Sequence, residues 1–438
     1  MRRPTWVEIG LAASLVTLLV ATWLTRSAPR EPGGGELHVL PAAATPEPEI
    51  ALLTDEGIRL FASRDFPEAC QRFSDAFERE PRSAVLRGNV AICFEGWGWQ
   101  ALRSGHADEA MLLFRQGLRQ SPGAESLLKG LGVAAIHAGR SDFAIEPLEA
   151  VLRARPDPDV ALLLARLYDQ RDDAERALAH LRRVVDTRPG DAEARKLLAK
   201  LERERAVERA FSKEETAHFV VKYRGAGDGE ARRAILGALE RLYWDIGTRL
   251  GHHHPAEKII VILYPPERFQ EVTRTHEWVS GVFDGKIRLP AGSAGARTEP
   301  LDRLLAHEYT HAVVHQISRG RAPRWLQEGL AQHFEGVADD ELLELPRGLS
   351  LAGVEALLTS GDVGKARTGY RTALWLVRDL LERGGMSGIA ELLARLGRGQ
   401  AVSAAVLPVY GLPLAELESQ WRLVLGGADI GTDAARVP

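Results

Sequence analysis

The sequence predicts a mostly α-helical chain in three parts: an N-terminal transmembrane helix, an α-solenoid of short repeats, and a C-terminal α+β domain. Three observations predict it. Residues 6–24 are apolar apart from Glu8. Four alanines at nearly constant intervals head the same local pattern, and past residue 210 helical periodicity gives way to alternation. A chain of 438 residues also exceeds what one ordinary core holds. It is 45% hydrophobic and 26% charged, as folded domains are. A formal net charge of −4 gives no electrostatic case for nucleic-acid binding.

The apolar run from Trp6 to Leu24 follows Arg2 and Arg3. A helix of that length rises about 28 Å, close to the hydrocarbon thickness of a bilayer. A cleavable signal peptide has a shorter apolar stretch and a small-x-small site close behind it. Ala42 and Ala44 have that spacing but lie too far downstream. The expectation is a retained signal anchor over residues 1–26. Arg2 and Arg3 put its N-terminus inside, although Arg26 and Arg30 oppose that orientation. The bulk of the chain would then lie outside the cytoplasmic membrane, on the periplasmic or extracellular side. Residues 27–49, rich in Pro, Gly and Ala, read as an extended linker.

Over residues 50–210 the sequence repeats itself. Ala69, Ala110, Ala144 and Ala177 are each followed four residues later by Phe73, Phe114, Leu148 or Leu181. Three further on stands Ala76, Gly117, Val151 or Val184, and five beyond that Pro81, Pro122, Pro156 or Pro189. Twelve residues before each alanine is Gly57, Gly98, Gly132 or Ala165. Small residues let two helices approach closely, the large one fills the gap, and the proline ends the unit. The steps between alanines are 41, 34 and 33 residues, which places an insertion near "RGNVAICFEGW". The pattern resembles the tetratricopeptide repeat. That resemblance implies a concave groove for a peptide or protein partner. Residues 191–211, with a charged outer face, read as a capping helix. Trp97 and Trp99 are read as packing against an inserted turn rather than lining the groove. Cys70 and Cys93 are too few for a disulfide framework or a thiolate zinc site, and are read as core residues rather than as a single disulfide.

Beyond the array, "HFVVKY" alternates as a strand does. "EARRAILGALERLYWDIGTRLG" has helical periodicity, and "EKIIVILYPP" is a buried strand stopped by prolines. "GVFDGKIRLP" turns at Asp-Gly between two short β segments. "GHHHP" reads as a solvated loop rather than a second metal site.

The chemistry is carried by "AHEYTHAVVHQ", with histidines at 307, 311 and 315. Residues four apart share one helix face about 6 Å apart, so His307 and His311 can converge on one metal ion. Glu308 points about 100° away, yet its longer arm reaches the open side, where a zinc-acidified water needs a base. His315 lies about 12 Å along the axis from His307, too far to complete a tetrahedron. The zinc class with a glycine three and a histidine six residues past the second histidine is excluded, because Val314 and Ile317 occupy those positions. A glutamate on a following helix remains. In "APRWLQEGLAQHFEG" Glu328 stands seventeen residues after His311, enough for a turn and a return.

"HEYTH" followed by "PRWLQEGLAQHFE" resembles the gluzincin metallopeptidases, specifically the bacterial peptidase MA-like domain. With the segments quoted above and "LPLAELESQWR", the resemblance covers about residues 215–425 and sets the domain at 211–426, before a tail of 427–438. It implies an α+β zincin-like fold in which His307, His311 and Glu328 bind one Zn2+ and Glu308 is the general base. It also implies a sheet edge near Gly281–Leu289 along which an extended substrate lies. Tyr370, opening the next helix, is the candidate to steady the oxyanion, with a core or capping role as the alternative. Some gluzincins place an aspartate four residues after the glutamate ligand to orient a histidine; here that position is Gln332, and Glu335 is the nearby substitute. The expectation is a membrane-anchored zinc metallopeptidase whose array recruits a protein substrate or partner. The alternative is a non-catalytic envelope scaffold with an inactive peptidase-like domain.

Overall fold

The computed structural model describes residues 37, 47–225, 229–252, 258–274, 281–290, 299–337 and 348–425. The N-terminal apolar run, the "HHP" of the histidine loop and the C-terminal tail lie outside them. Among the described residues no helix is long and apolar enough to cross a membrane. The chain divides into two compact units between Glu202 and Arg203.

The first unit is a run of helix pairs. These are α1 (Pro48–Ala62) with α2 (Phe66–Arg79), and α3 (Ala84–Arg103) with α4 (Ala107–Gln120). Then come α5 (Glu125–His137) with α6 (Asp142–Ala154), and α7 (Pro158–Gln170) with α8 (Ala174–Thr187). The repeated residues are the pairing surfaces. Ala69, Ala110, Ala144 and Ala177, and the large residue after each, are wholly buried. A side chain cannot replace the glycines of the facing helices. A Cβ on Gly57 would lie 2.8 Å from Phe73, and one on Gly132 2.5 Å from Leu148.

Two expectations for this unit need correction. The insertion makes no turn. It lengthens α3 to 20 residues, against 13 in α5 and in α7. Trp99 is buried edge-on against Phe114 at 5.2 Å, and Trp97 is half-buried and stacked on Phe94 at 6.2 Å. Nor are Cys70 and Cys93 bland core residues: they form a disulfide between α2 and α3, with their Cα atoms 5.4 Å apart. Lengthening α3 sets Cys93 opposite Cys70, a register that spacing alone does not reveal. Closing a loop of this size contributes about 3 kcal/mol. Replacing both cysteines by serine is expected to remove about that much. Urea unfolding followed by far-UV circular dichroism would show an earlier transition for the array.

The second unit takes in the end of the capping helix α9 (Ala192–Glu208), where the sequence placed the boundary at 210. Its five-stranded sheet has the order β1-β2-β3-β5-β4. The strands are β1 (Phe211–Glu215), β2 (Phe219–Arg224), β3 (Ile259–Tyr264), β4 (Val282–Phe283) and β5 (Ile287–Pro290). The three inner strands are parallel, pairing Phe219 with Ile259 and Val261 with Ile287. Both edge strands run antiparallel to their neighbours. The Asp-Gly turn joins β4 to β5, with Gly285 at φ 97°. Strand β1, "FSKEE", is not predicted, since it lacks alternation and is largely exposed.

One face of the sheet presents Phe219, Val221, Val261, Leu263, Ile287 and Leu289 to the main core, which includes helices α10 (Gly229–Arg249) and α12 (Glu299–Ser318). The other face packs Ile260, Ile262 and Tyr264 with Val207 of α9 and Phe269 of α11 (Pro266–Thr273). Arg288, buried on that side, is held by Glu204 at 3.2 Å, Glu208 at 3.3 Å and Asp284 at 3.1 Å. The end of α9 is therefore ion-paired to the strand that neighbours the edge strand. The remaining helices among the described residues are α13 (Arg324–Glu335), α14 (Leu351–Leu358), α15 (Val363–Gly397, broken at Gly385), α16 (Val402–Tyr410) and α17 (Leu414–Leu425).

Candidate metal centre

Helix α12 lies in the core because Leu304, Leu305, Val313 and Val314 bury its apolar sides. The chain then turns through Arg319 and Gly320, both left-handed, and Pro323 starts α13. The carboxylate of Glu355, on α14, accepts the Trp325 N–H at 3.1 Å and so caps that helix. A carboxylate at a helix N-terminus is favourable there. Helix α13 can lie against α15 because residue 329 is glycine: a Cβ there would meet the Ala373 carbonyl oxygen at 2.3 Å. Glu328, its neighbour, is thus carried to a fixed place.

That place faces the two histidines. His307 Nε2 lies 3.2 Å from His311 Nε2. The Glu328 Oε2 atom lies 3.4 Å from His311 Nε2 and 3.7 Å from His307 Nε2. A tetrahedral ion with ligands at about 2.0–2.1 Å separates them by about 3.3–3.4 Å along each edge. The three atoms therefore fit zinc, and among the described residues they form the one group suited to a metal. All three residues are 0% exposed.

Charge favours a cation as well. Burial alone would raise the Glu328 carboxyl, but His311 and His307 outweigh it and hold it at about 2. Burial would lower His307, yet Glu328 and Glu335 draw it well above the usual imidazole range. The His307 Nδ1 atom is 2.9 Å from the Glu335 carboxylate. An ionised carboxylate can only accept, so Nδ1–H donates, and Nε2 is the nitrogen that would give its lone pair to a bound ion.

Glu308 stands beside these three side chains with both carboxylate oxygens buried and without a hydrogen-bond partner among the described residues. Burial pushes it up to about 7, where a carboxylate can both take and return a proton. Its space exists because residue 281 has no side chain: a Cβ on Gly281 would lie 2.4 Å from Glu308 Oε1. Gly281 immediately precedes β4, so the edge strand starts against the carboxylate. Sequence reading placed Gly281 at the sheet edge but missed this contact. Gly281→Ala is expected to displace the Glu308 carboxylate and lower kcat by about 10²-fold or more, within the range for loss of a positioned base. Zinc content should stay at the wild-type value; a variant of unchanged kcat would show that the contact has no role.

The other sequence candidates fall as follows. Tyr370 is buried; burial and the Glu328 charge hold its hydroxyl well above the usual phenol range. It does not open its helix: α15 begins at Val363, and Tyr370 lies about two turns in, because Asp362 caps the earlier start. His315 is half-buried and edge-on to Phe283 at 5.7 Å, outside the group of three. Burial lowers it to about 4. The Gln332 side chain makes no hydrogen bond to a histidine among the described residues. Its amide donates to the Glu328 carbonyl at 3.2 Å and to the Tyr370 carbonyl at 2.8 Å.

The family model described as Peptidase MA superfamily matches residues 237–427, and the tetratricopeptide repeat model matches 101–167 and 144–201. The chain carries a Peptidase MA superfamily domain and tetratricopeptide repeats. The repeats support protein–protein interaction. A curated relative, Hsp70-Hsp90 organizing protein 1 of Glycine max, is 27% identical, and the match takes in 25% of this chain and 25% of that protein. The chain thus spans about a quarter of that relative's length. Among solved structures, a tetratricopeptide repeat protein from Parabacteroides merdae is 13% identical, covering 67% of this chain and 95% of its own with a TM-score of 0.31. The protein MamA is 14% identical, covering 36% of this chain and 83% of its own with a TM-score of 0.29.

Proposed function

We propose that this chain is a zinc metallopeptidase, anchored by its N-terminal segment, with the Peptidase MA domain and repeats outside the cytoplasm. The observation that carries the enzymatic reading is the meeting of His307, His311 and Glu328 at ligand spacing beside the unpartnered carboxylate of Glu308. When bound, zinc supplies Lewis-acid polarisation of a carbonyl and acidifies water. Glu308 takes a proton from the attacking water and returns it to the departing amine. The buried Tyr370 hydroxyl, beside Glu328, donates toward the oxyanion. The outer edge of β4 offers backbone groups along which an extended peptide pairs. The repeat array recruits the protein that is cut, or a partner that presents it. The Cys70–Cys93 disulfide supports an oxidising location, since such bonds are rare in the cytosol.

The test uses the full purified chain. Metal analysis is expected to find one zinc per chain, and an unfolded protein offered as substrate is expected to be cleaved. Chelation should stop cleavage, and added zinc should restore it. A chain that cleaves equally well after chelation, or that binds no zinc, would sink the reading.

A further inference from the structure

The orienting carboxylate for the metal-facing histidine does not stand where one helical turn from Glu328 would put it. Gln332 occupies that place, and its amide is committed elsewhere. Both protons of the NH2 group point at carbonyl oxygens, of Glu328 at 3.2 Å and of Tyr370 at 2.8 Å. Only the nitrogen end can make those bonds, which fixes the orientation of the amide. A carboxylate at 332 would be set against the same two carbonyls. Nearly one turn further along α13, Glu335 is 7% exposed and its Oε2 atom accepts from His307 Nδ1 at 2.9 Å. Its other oxygen faces the Arg303 guanidinium at 3.8 Å. Arg303, His307 and Glu335 thus form a chain that leads outward from the metal.

We infer that Glu335 is the positioning residue that orients His307 for zinc, and that Gln332 has a different task, tying the helix that bears Glu328 to the turn that bears Tyr370. The two roles are not interchangeable. The amide at 332 is required because its partners are acceptors, and the carboxylate at 335 is required because its partners are donors. The inference rests on the zinc reading above.

Zinc affinity is measured by competition with a chromophoric chelator, with zinc alone as the probe. Glu335→Gln is expected to weaken zinc about 10–100-fold, the usual cost of losing an outer partner of a ligand histidine. Adding Gln332→Asp to that variant is expected not to restore it. Gln332→Ala, which keeps Glu335, is expected to hold zinc within about twofold of wild type, far from the 10–100-fold of a lost outer partner. In the zinc-loaded chain, proton NMR should show a downfield, exchange-protected His307 Nδ1–H that disappears in Glu335→Gln. Unchanged affinity in Glu335→Gln, restoration by Gln332→Asp, or a loss in Gln332→Ala as large as in Glu335→Gln would each overturn the inference. A wild-type chain that binds no zinc overturns the functional reading and this inference with it. A zinc-binding wild type with an unaffected Glu335→Gln overturns the inference alone.

Discussion

Glu308→Gln is expected to keep zinc and to lose turnover by about 10²–10⁴-fold, the range for removing a positioned general base. The amide has the shape of the carboxylate, so it fits the space left by Gly281. It cannot accept and return a proton. Folding should not suffer. Glu308 is wholly buried with both oxygens unpartnered, and burial already pushes it up to about 7. A neutral amide is cheaper to bury than an unpaired carboxylate. The urea midpoint of the variant is therefore expected at or above the wild-type value, which separates a catalytic loss from a folding loss. Three measurements check this together: zinc per chain, cleavage rate and unfolding midpoint. If the variant cleaves at the wild-type rate, Glu308 is not the base. The scaffold alternative makes the opposite cellular prediction, that a strain carrying Glu308→Gln behaves as wild type.

What the sequence shows of this site follows from how local each relation is. His307, Glu308 and His311 are legible because helix geometry alone places them, and Glu328 because a turn and a return of fixed length bring it back. The array is legible because each repeat states the same contact again: Gly57 with Phe73 is Gly132 with Leu148. Residues whose role is set by a distant neighbour are not legible. Gly281 matters only because β4 begins against Glu308, and Glu355 only because α14 meets the start of α13. The Cys70–Cys93 bond depends on the length of α3, which periodicity cannot fix when the insertion simply continues the helix. Strand β1 is recruited by β2, although its own residues have no β pattern. Tyr370 lies two turns inside its helix rather than at the start. An earlier cap at Asp362 adds two turns that the apolar pattern does not reveal.

Glu328→Ala and His315→Ala are expected to separate completely in a zinc assay. The Glu328 Oε2 atom is 3.4 Å from His311 Nε2 and 3.7 Å from His307 Nε2, so on the proposed reading its loss removes one of three ligands. Zinc should weaken by more than the about 10–100-fold that an outer-shell loss costs. The variant should also bring His307 nearer its ordinary imidazole behaviour, since Glu328 is one of the carboxylates that raise it. His315→Ala should leave zinc in place. Its ring packs edge-on against Phe283, and the next helical turn carries it away from the metal rather than toward it. The expected cost is confined to stability, about 1 kcal/mol for a half-buried contact. The pair of variants decides between two geometries that the three-histidine stripe allows. In one, the helix supplies two ligands and a neighbouring helix supplies the third. In the other, three histidines on one face share the ion, which would require the helix to bend through about 12 Å of its own length. Retention of zinc in Glu328→Ala together with loss in His315→Ala would establish the second and remove the basis for assigning Glu308 its proton.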